Sequence, residues 1–328
     1  MHRSATMAPP TQRPPLGVRL VYSVRKEPDY RSMSPADLAA FGEVANRIVN
    51  SRLARLLTGI PHSGVTITWQ QVQLADRTIR VRVHRPKNPT ARKLPLVLHV
   101  HGGGYVGTAV QCDWINSHVA ARASAVVVSV EHRLMDHDTP LAAIVDDGWD
   151  VLRHVFQHAA DWGVDPTRVA VAGESAGSMV AALSALRARD AGLSLRAQVL
   201  VNPCVDVTST ALDYESVTQY ADTPTLTREG LEFFRRLAVP GETDPRPLSP
   251  LYADRLDGLP PTLMVIPVLD PVADHGRVYA ERLREAGTTV EVREYSKAGH
   301  AFISMPGLVP QARPARDRLV EFLCERFR

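Results

Sequence analysis

Four features of this chain could do chemistry together: a serine between two glycines, a histidine near the end, an aspartate between them, and a run of three glycines upstream. Gly173-Glu174-Ser175-Ala176-Gly177 follows an apolar run at 168–172 and precedes an Ala-rich stretch at 176–190. The run reads as a buried strand and the stretch as a helix. A serine between a strand end and a helix start sits on a sharp, strained turn, and flanking glycines remove the Cβ atoms that would collide there. Such a turn lifts Oγ of Ser175 clear of the sheet edge. The helix N-terminus behind it offers unpaired N–H groups and partial positive charge to a developing oxyanion. The chemistry this suits is attack of a serine on a carbonyl.

A nucleophilic serine needs a base, an acid that orients the base, and donors for the oxyanion. The acid and base are sought after the serine, at strand ends, the order that one known arrangement built on this elbow uses. Only His275 and His300 lie beyond it. His300 comes after an apolar run at 290–295 and is expected to be the base; His275, at a predicted helix start, reads as a surface or capping residue. Asp270 directly follows the run 262–268 and is expected to be the acid, with Asp274 capping the next helix. His101-Gly102-Gly103-Gly104 follows the run 96–100. Consecutive glycines let backbone N–H groups turn toward a substrate oxygen, so Gly103 and Gly104 are expected to donate with Ala176, and His101 and Gly102 to support the loop. The loop fits neither G-x-G-x-x-G nor the P-loop. His154 and His158 are four apart on a helical pattern but lack the Glu of H-E-x-x-H and a third ligand. No metal or cofactor is expected. His99 reads as a core histidine and Cys112 as a buried, inert thiol.

These residues must be carried by elements that end at one place. Runs at 66–74 and 78–84 read as a hairpin, and those at 96–100, 125–130, 169–172, 197–201, 262–268 and 290–295 as strands. Helical patterns fall at 34–58, where Ser34-Pro35 is the N-terminal signal, and at 114–123, 142–159, 176–190, 275–286 and 314–327. Continuous apolar strands alternating with amphipathic helices predict an α/β fold with a mostly parallel sheet covered on both faces. Residues 205–250 are rich in Thr, Ser and Pro, with one helical pattern at 228–237. They read as an insertion at the C-terminal edge of the sheet, forming with the N-terminal helices a cap over Ser175. The division expected is an arm and cap helices at 1–62, core at 63–204, cap insertion at 205–250 and core again at 251–328.

The 328 residues carry a net charge of +3, too little for a nucleic-acid partner. The surplus is local: residues 1–61 hold nine Lys/Arg against four Asp/Glu. This reads as a solvated basic face. Three cysteines without C-x-x-C fit a reducing compartment, hence a cytoplasmic location. No stretch has the 18 or so apolar residues a membrane span requires, and the Pro-rich start reads as a draped arm rather than a signal peptide.

The motifs His101-Gly102-Gly103-Gly104, Gly173-Glu174-Ser175-Ala176-Gly177, Asp270-Pro271 followed by Asp274, and His300 before Phe302 resemble the hormone-sensitive-lipase family of α/β-hydrolases, the bacterial family IV carboxylesterases. The resemblance covers roughly residues 65–328. It implies a capped α/β-hydrolase that cleaves small to medium acyl esters without a cofactor, with Ser175 as nucleophile, Asp270 as acid and His300 as base, and by analogy a possible homodimer. The chain departs from the family at Glu174 (usually Asp), Ser178 (usually Gly), Ala301 (usually Gly) and over His132-Arg133-Leu134-Met135-Asp136-His137-Asp138, where Tyr-Arg-Leu-Ala-Pro-Glu-His is common. The rival readings are a natural-product tailoring enzyme on the same fold (deacetylase, acyl transferase or dehydratase) and a binding protein without turnover. The intact Ser175 and His300 favour hydrolysis over both.

Overall fold

The computed structural model describes residues 13–23, 28–89, 91–136, 138–241 and 243–328. Helices α1 (Leu16–Ser23), α2 (Pro35–Val49) and α3 (Arg55–Thr58) precede the hairpin β1 (Val65–Gln73) and β2 (Thr78–Pro86). Then β3 (Leu94–Val100), α4 (Asp113–Arg122), β4 (Val126–Glu131), α5 (Leu141–Gln157), β5 (Val164–Glu174), α6 (Ala176–Asp190) and β6 (Ala197–Val201) alternate. A helix α7 (Glu215–Gln219), a small ribbon of β7 (Asp222–Thr223) and β8 (Leu226–Thr227), and α8 (Arg228–Ala238) interrupt the rhythm. The chain closes with β9 (Thr262–Leu269), α9 (Ala273–Glu285), β10 (Val290–Gly299) and α10 (Ala312–Arg326).

Eight strands form one sheet in the order β1-β2-β4-β3-β5-β6-β9-β10. β1 and β2 pair antiparallel, as do β2 and β4; every other neighbour is parallel. Side chains alternate across a strand, so each strand feeds two cores. Leu96, Leu98 and Val100 of β3 join Val126, Val128 and Val130 of β4 under α5 and α6. Val97 and Val127 point the other way, to Trp114 and Ile115 of α4 and Leu319 and Leu323 of α10. A sheet buried on both faces has no polar alternation, which is why these strands read as continuous apolar runs.

The helical pattern at 34–58 is two helices, not one. Ser34 caps α2 as expected: its Oγ accepts from the Asp37 N–H at 3.2 Å, and Asp37 Oδ2 accepts from the Ser34 N–H at 3.0 Å. At the other end Asn50 turns its side chain back onto the Asn46 carbonyl at 2.7 Å, and Ser51 Oγ accepts from the Ala54 N–H at 3.2 Å to start a new turn. Local side-chain bonds of this kind compete with helix continuation. The strand and helix expectations elsewhere hold to within a few residues, apart from the Val164–Glu174 strand, which begins five residues earlier than read from the sequence. Helix α7 and the ribbon were not read from the sequence; they are too short to show a period.

Asp147 ties three of these pieces together. Its carboxylate is fully buried and accepts from Arg77 Nε at 3.0 Å, from Arg133 Nη2 at 2.8 Å and from the Arg133 N–H at 2.8 Å. It thus pins the β1–β2 hairpin and the unusual loop after β4 onto α5. Asp147→Ala should lower the unfolding free energy by about 1–3 kcal/mol, since Arg77, Arg133 and the Arg133 N–H lose a shared buried acceptor. Urea denaturation of the variant beside wild type measures this.

Candidate active site

Every site residue expected from the sequence sits just past the C-terminal end of a parallel strand: the glycine loop after β3, Ser175 after β5, Asp270 after β9 and His300 after β10. The Ser175 backbone is at φ 54° and ψ −121°, a conformation costing roughly 1–3 kcal/mol for a residue with a Cβ. The surroundings enforce it. A Cβ on Gly173 would lie 2.2 Å from the Gly177 carbonyl oxygen, and one on Gly177 would lie 2.2 Å from that of Val100. Both glycines are required by close approach of backbone to backbone. Ser178, in a position where glycine is usual, bonds through Oγ to the Ser175 carbonyl and accepts from the Cys204 N–H at 3.1 Å, tying the turn to the segment after β6.

Ser175 Oγ stands 2.6 Å from His300 Nε2, and His300 Nδ1 stands 2.8 Å from Asp270 Oδ2. A carboxylate can only accept, so Nδ1 carries the proton and Nε2 is left to accept from the serine hydroxyl. Asp270 is fully buried, and its Oδ1 accepts from the Val272 N–H at 3.0 Å. Burial pulls the His300 pKa down, but the charge of Asp270, its hydrogen bond and the charge of Glu174 outweigh this and hold it above its ordinary value. Ala301, next in the chain, takes the left-handed conformation at φ 58°, which suits the glycine usual there better than alanine.

Gly103 (φ 98°) and Gly104 (φ 61°) have backbone angles that favour glycine, and they wall the same cavity as Ser175, Ala176 and His300. A Cβ on Gly102 would lie 3.2 Å from Ser175 Cβ, so the loop rests directly on the elbow. The Ala176 N–H heads α6, where the first N–H groups have no partner within the helix. Behind the loop, His101 Nδ1 donates to the Gly102 carbonyl at 2.9 Å, and its ring stacks on His132 with centroids 4.2 Å apart. Burial drives both rings toward the neutral form, His101 to about 4 and His132 to about 3. The departure from the family pattern after β4 therefore supplies the surface on which His101 lies. The same loop sends the Met135 N–H to the Tyr105 carbonyl at 3.0 Å. Its His137 is outside the described residues.

Glu174 is a site residue that the sequence marked only as a departure. It is buried beside the serine, where its Oε2 accepts from Ser304 Oγ at 2.6 Å and faces Cys112 Sγ at 3.7 Å. Burial raises its pKa, against the Ser304 hydrogen bond and the charge of His300. Ser304 was not anticipated; nothing in its local sequence signals a role, because it reaches Glu174 across 130 positions. Cys112 is buried with its thiol pKa pushed up by burial, in keeping with an inert role, and His99 is a core histidine held by Ser129 Oγ at 2.9 Å.

Two expectations need correction. Asp274 does not cap α9: its Oδ2 accepts from the Ser216 N–H at 2.9 Å, and its other oxygen pairs with Arg277 at 2.8 Å, so it anchors the insertion instead. His275 is not at the surface. It is fully buried with Nε2 against the Ala211 carbonyl at 2.9 Å, because the 205–250 segment folds over the start of α9. Both partners are distant in sequence. Among the described residues, no group of three or more His, Cys, Asp or Glu side chains could hold a metal.

The cavity at Ser175 measures about 310 Å³. Its walls come from α1 to α3 (Phe41, Val49), the insertion (Leu226, Leu231, Phe234) and the segment after β10 (Met305). Phe234 lies over the glycine loop, within 2.6 Å of where a Gly104 Cβ would be, and Tyr30 packs its ring against Phe233 and Phe234 at 5.5 and 6.2 Å.

Residues 97–304 match the alpha/beta hydrolase fold family. Over 249 residues the chain is 39% identical to carboxylesterase NlhH and 36% identical to esterase LipI, both of Mycobacterium tuberculosis; each match covers 73% of this chain and 76% of the relative. In three dimensions it is similar to an ester hydrolase from the metagenome of Lake Arreo, solved with a derivative of bipyridine phosphonate. That match has a TM-score of 0.84 and 27% identity, covering 95% of this chain and 98% of the other.

The His300 environment sets a pH dependence. A base must be neutral, so kcat/KM should fall as pH drops through a midpoint above the ordinary histidine value of 6.5. Asp270→Asn removes the charge that holds the pKa up, so the midpoint should move to lower pH while the rate falls. Rate profiles of the two proteins test both signs.

Proposed function

We propose a residue-level mechanism for a chain that belongs to the α/β-hydrolase fold family and, within it, to the family IV carboxylesterases: it is an ester hydrolase, and Ser175, His300 and Asp270 carry its reaction. Ser175 Oγ attacks the ester carbonyl as His300 Nε2 takes its proton. Asp270 keeps His300 in the tautomer that can do so and stabilises the imidazolium. The oxyanion is received by the N–H groups of Gly103, Gly104 and Ala176, and losing one such donor costs about 3–4 kcal/mol of barrier. His300 returns the proton to the departing alcohol. Water, deprotonated by the same ring, then attacks the acyl-serine, and His300 gives that proton to Ser175 Oγ as the acid departs. The observation that carries this reading is the buried line from Ser175 Oγ to His300 (2.6 Å) to Asp270 (2.8 Å) at a strained turn.

The substrate we infer is an ester of a small to medium acyl group. A cavity of 310 Å³ lies at the low end of small-molecule sites, and its apolar walls favour a hydrocarbon chain. Supporting a cap made of the helices within residues 13–62 and the 205–250 insertion are the ring contacts of Tyr30 with α8 and the contribution of both segments to the cavity wall; the arm expected at residues 1–12 lies outside the described residues. Three free cysteines support a cytoplasmic location, and the outer edges of β1 and β10, unpaired among the described residues, are where strands of a homodimer would pair.

Hydrolysis of p-nitrophenyl esters from acetate to laurate tests the reading. Ser175→Ala should lose roughly four orders of magnitude or more in kcat with an unchanged circular dichroism spectrum. Retained turnover would remove Ser175 from the mechanism; a wild type inactive on the whole series would favour a specialised transfer, elimination or binding role. Phe234→Ala should open the cavity above Gly104 and move the optimum to longer chains, which the same series measures.

A further inference from the structure

Nine large hydrophobic residues stand exposed among the described residues, and seven of them fall between residues 16 and 60: Leu16, Leu20, Val44, Ile48, Leu53, Leu56 and Ile60. They run from 53% exposed at Val44 to 77% at Leu53, so this is no scatter of half-covered side chains. Leu16 and Leu20 are one turn apart on α1, and Val44 and Ile48 one turn apart on α2.

The elements that carry them meet at the cavity. Gly17 of α1 packs on Leu308, Tyr22 reaches Met305 Sδ, and the Gly307 N–H bonds to the Leu57 carbonyl of α3 at 3.0 Å. α2 is seated on the loop beyond the glycines, with Asn46 Nδ2 donating to the Val106 carbonyl at 3.0 Å. The inner sides of the three helices, through Tyr22, Phe41, Val49 and Thr58, wall the cavity that holds Ser175. The exposed Leu16, Leu20, Val44, Ile48 and Leu56 stand on these helices and take no part in the cavity wall, and Leu53 and Ile60 stand on the segments flanking α3.

The same stretch is basic. Its described part, 13–23 and 28–60, holds Arg13, Arg19, Arg31, Arg47, Arg52 and Arg55 against Asp29, Asp37 and Glu43. Arg31 pairs with Glu229 of the insertion. Asp29 and Asp37 are engaged in local turns with Ser32 and Ser34. The five other arginines are exposed, and among the described residues none has a carboxylate within 4 Å.

We propose that the outer face of α1, α2 and α3, with the 51–60 segment, docks on the surface of an anionic lipid bilayer, bringing the cavity against the interface. Apolar side chains interleaved with unpaired arginines match such a surface, where leucines enter the acyl boundary and guanidinium groups meet phosphates. Arginine stems extend the apolar contact while the charge stays in water. A second copy of this chain fits less well: a two-fold contact through this face would set arginine against arginine. Among the described residues no helix is long and apolar enough to cross a membrane, so the face lies on the bilayer.

Docking goes beyond the hydrolysis reading and is tested separately from it. Co-sedimentation of the whole chain with phosphatidylglycerol vesicles and with phosphatidylcholine vesicles should show binding to the first and much weaker binding to the second. Leu53→Ser with Leu56→Ser should weaken binding by about tenfold or more, and Arg52→Gln with Arg55→Gln should weaken it and flatten its salt dependence. Both double variants should keep the wild-type kcat/KM on soluble p-nitrophenyl acetate, and Ser175→Ala should bind vesicles as wild type does. No binding by wild type, or equal binding by both double variants and wild type, overturns the proposal. So does a wild-type dimer in sedimentation velocity that the leucine variant converts to monomer, since the face would then cover a second copy.

Discussion

The close passage of three backbone segments at the sheet edge is the constraint on which the rest depends. Between β5 and α6 the chain reverses in the space of one residue, and the carbonyls of Val100, His101 and Gly177 fill the volume that two Cβ atoms would need. With glycine at 173 and 177 the segments close up, and Ser175 is held at positive φ with its Oγ projecting. The glycine loop then has the elbow as its floor. Backbone packed against backbone has no rotamers to relax into, so the serine, the N–H groups and the histidine share one fixed frame.

Around that frame the protein distributes charge by burial. Asp270 is sealed from solvent yet satisfied by His300 and the Val272 N–H, so its negative charge acts on the histidine in a medium that screens little. Glu174 adds a second carboxyl at the same depth, steadied by Ser304. On the far side of the glycine loop the opposite device operates. His101 and His132 are stacked and neutral, giving the loop a flat support that brings no competing positive charge to its N–H groups. The loop after β4, where the chain departs most from its family, is fastened by Arg133 to Asp147 and so belongs to this support.

The walls above the frame are assembled from segments far apart in the chain. Tyr30 against Phe233 and Phe234 joins the N-terminal helices to the insertion, and Asp274 and Ser216 join the insertion to α9. The cavity walls therefore rest on contacts among the least regular parts of the molecule, while the line from Ser175 to His300 to Asp270 rests on the sheet. A rigid scaffold with variable covering segments is the arrangement that lets one reaction serve many substrates.

The architecture, and the residues that converge at the sheet edge, were legible in the sequence alone. Apolar runs reported strands buried on both faces, Ser34-Pro35 reported a helix start, and the glycine spacing around Ser175 and after His101 reported turns that only glycine permits. Asp270 and His300 were legible because parallel strands deliver whatever follows them to one edge, so position along the chain stood in for position in space. Packing alone set the interactions between distant residues with no local signature: Ser304 on Glu174, His132 beneath His101, Phe234 over Gly104, the burial of His275 and the engagement of Asp274 by Ser216. Local patterns record how a segment meets water and its own neighbours. Which side chain a buried carboxylate meets 130 residues away depends on how the layers pack, and no period in the sequence carries that.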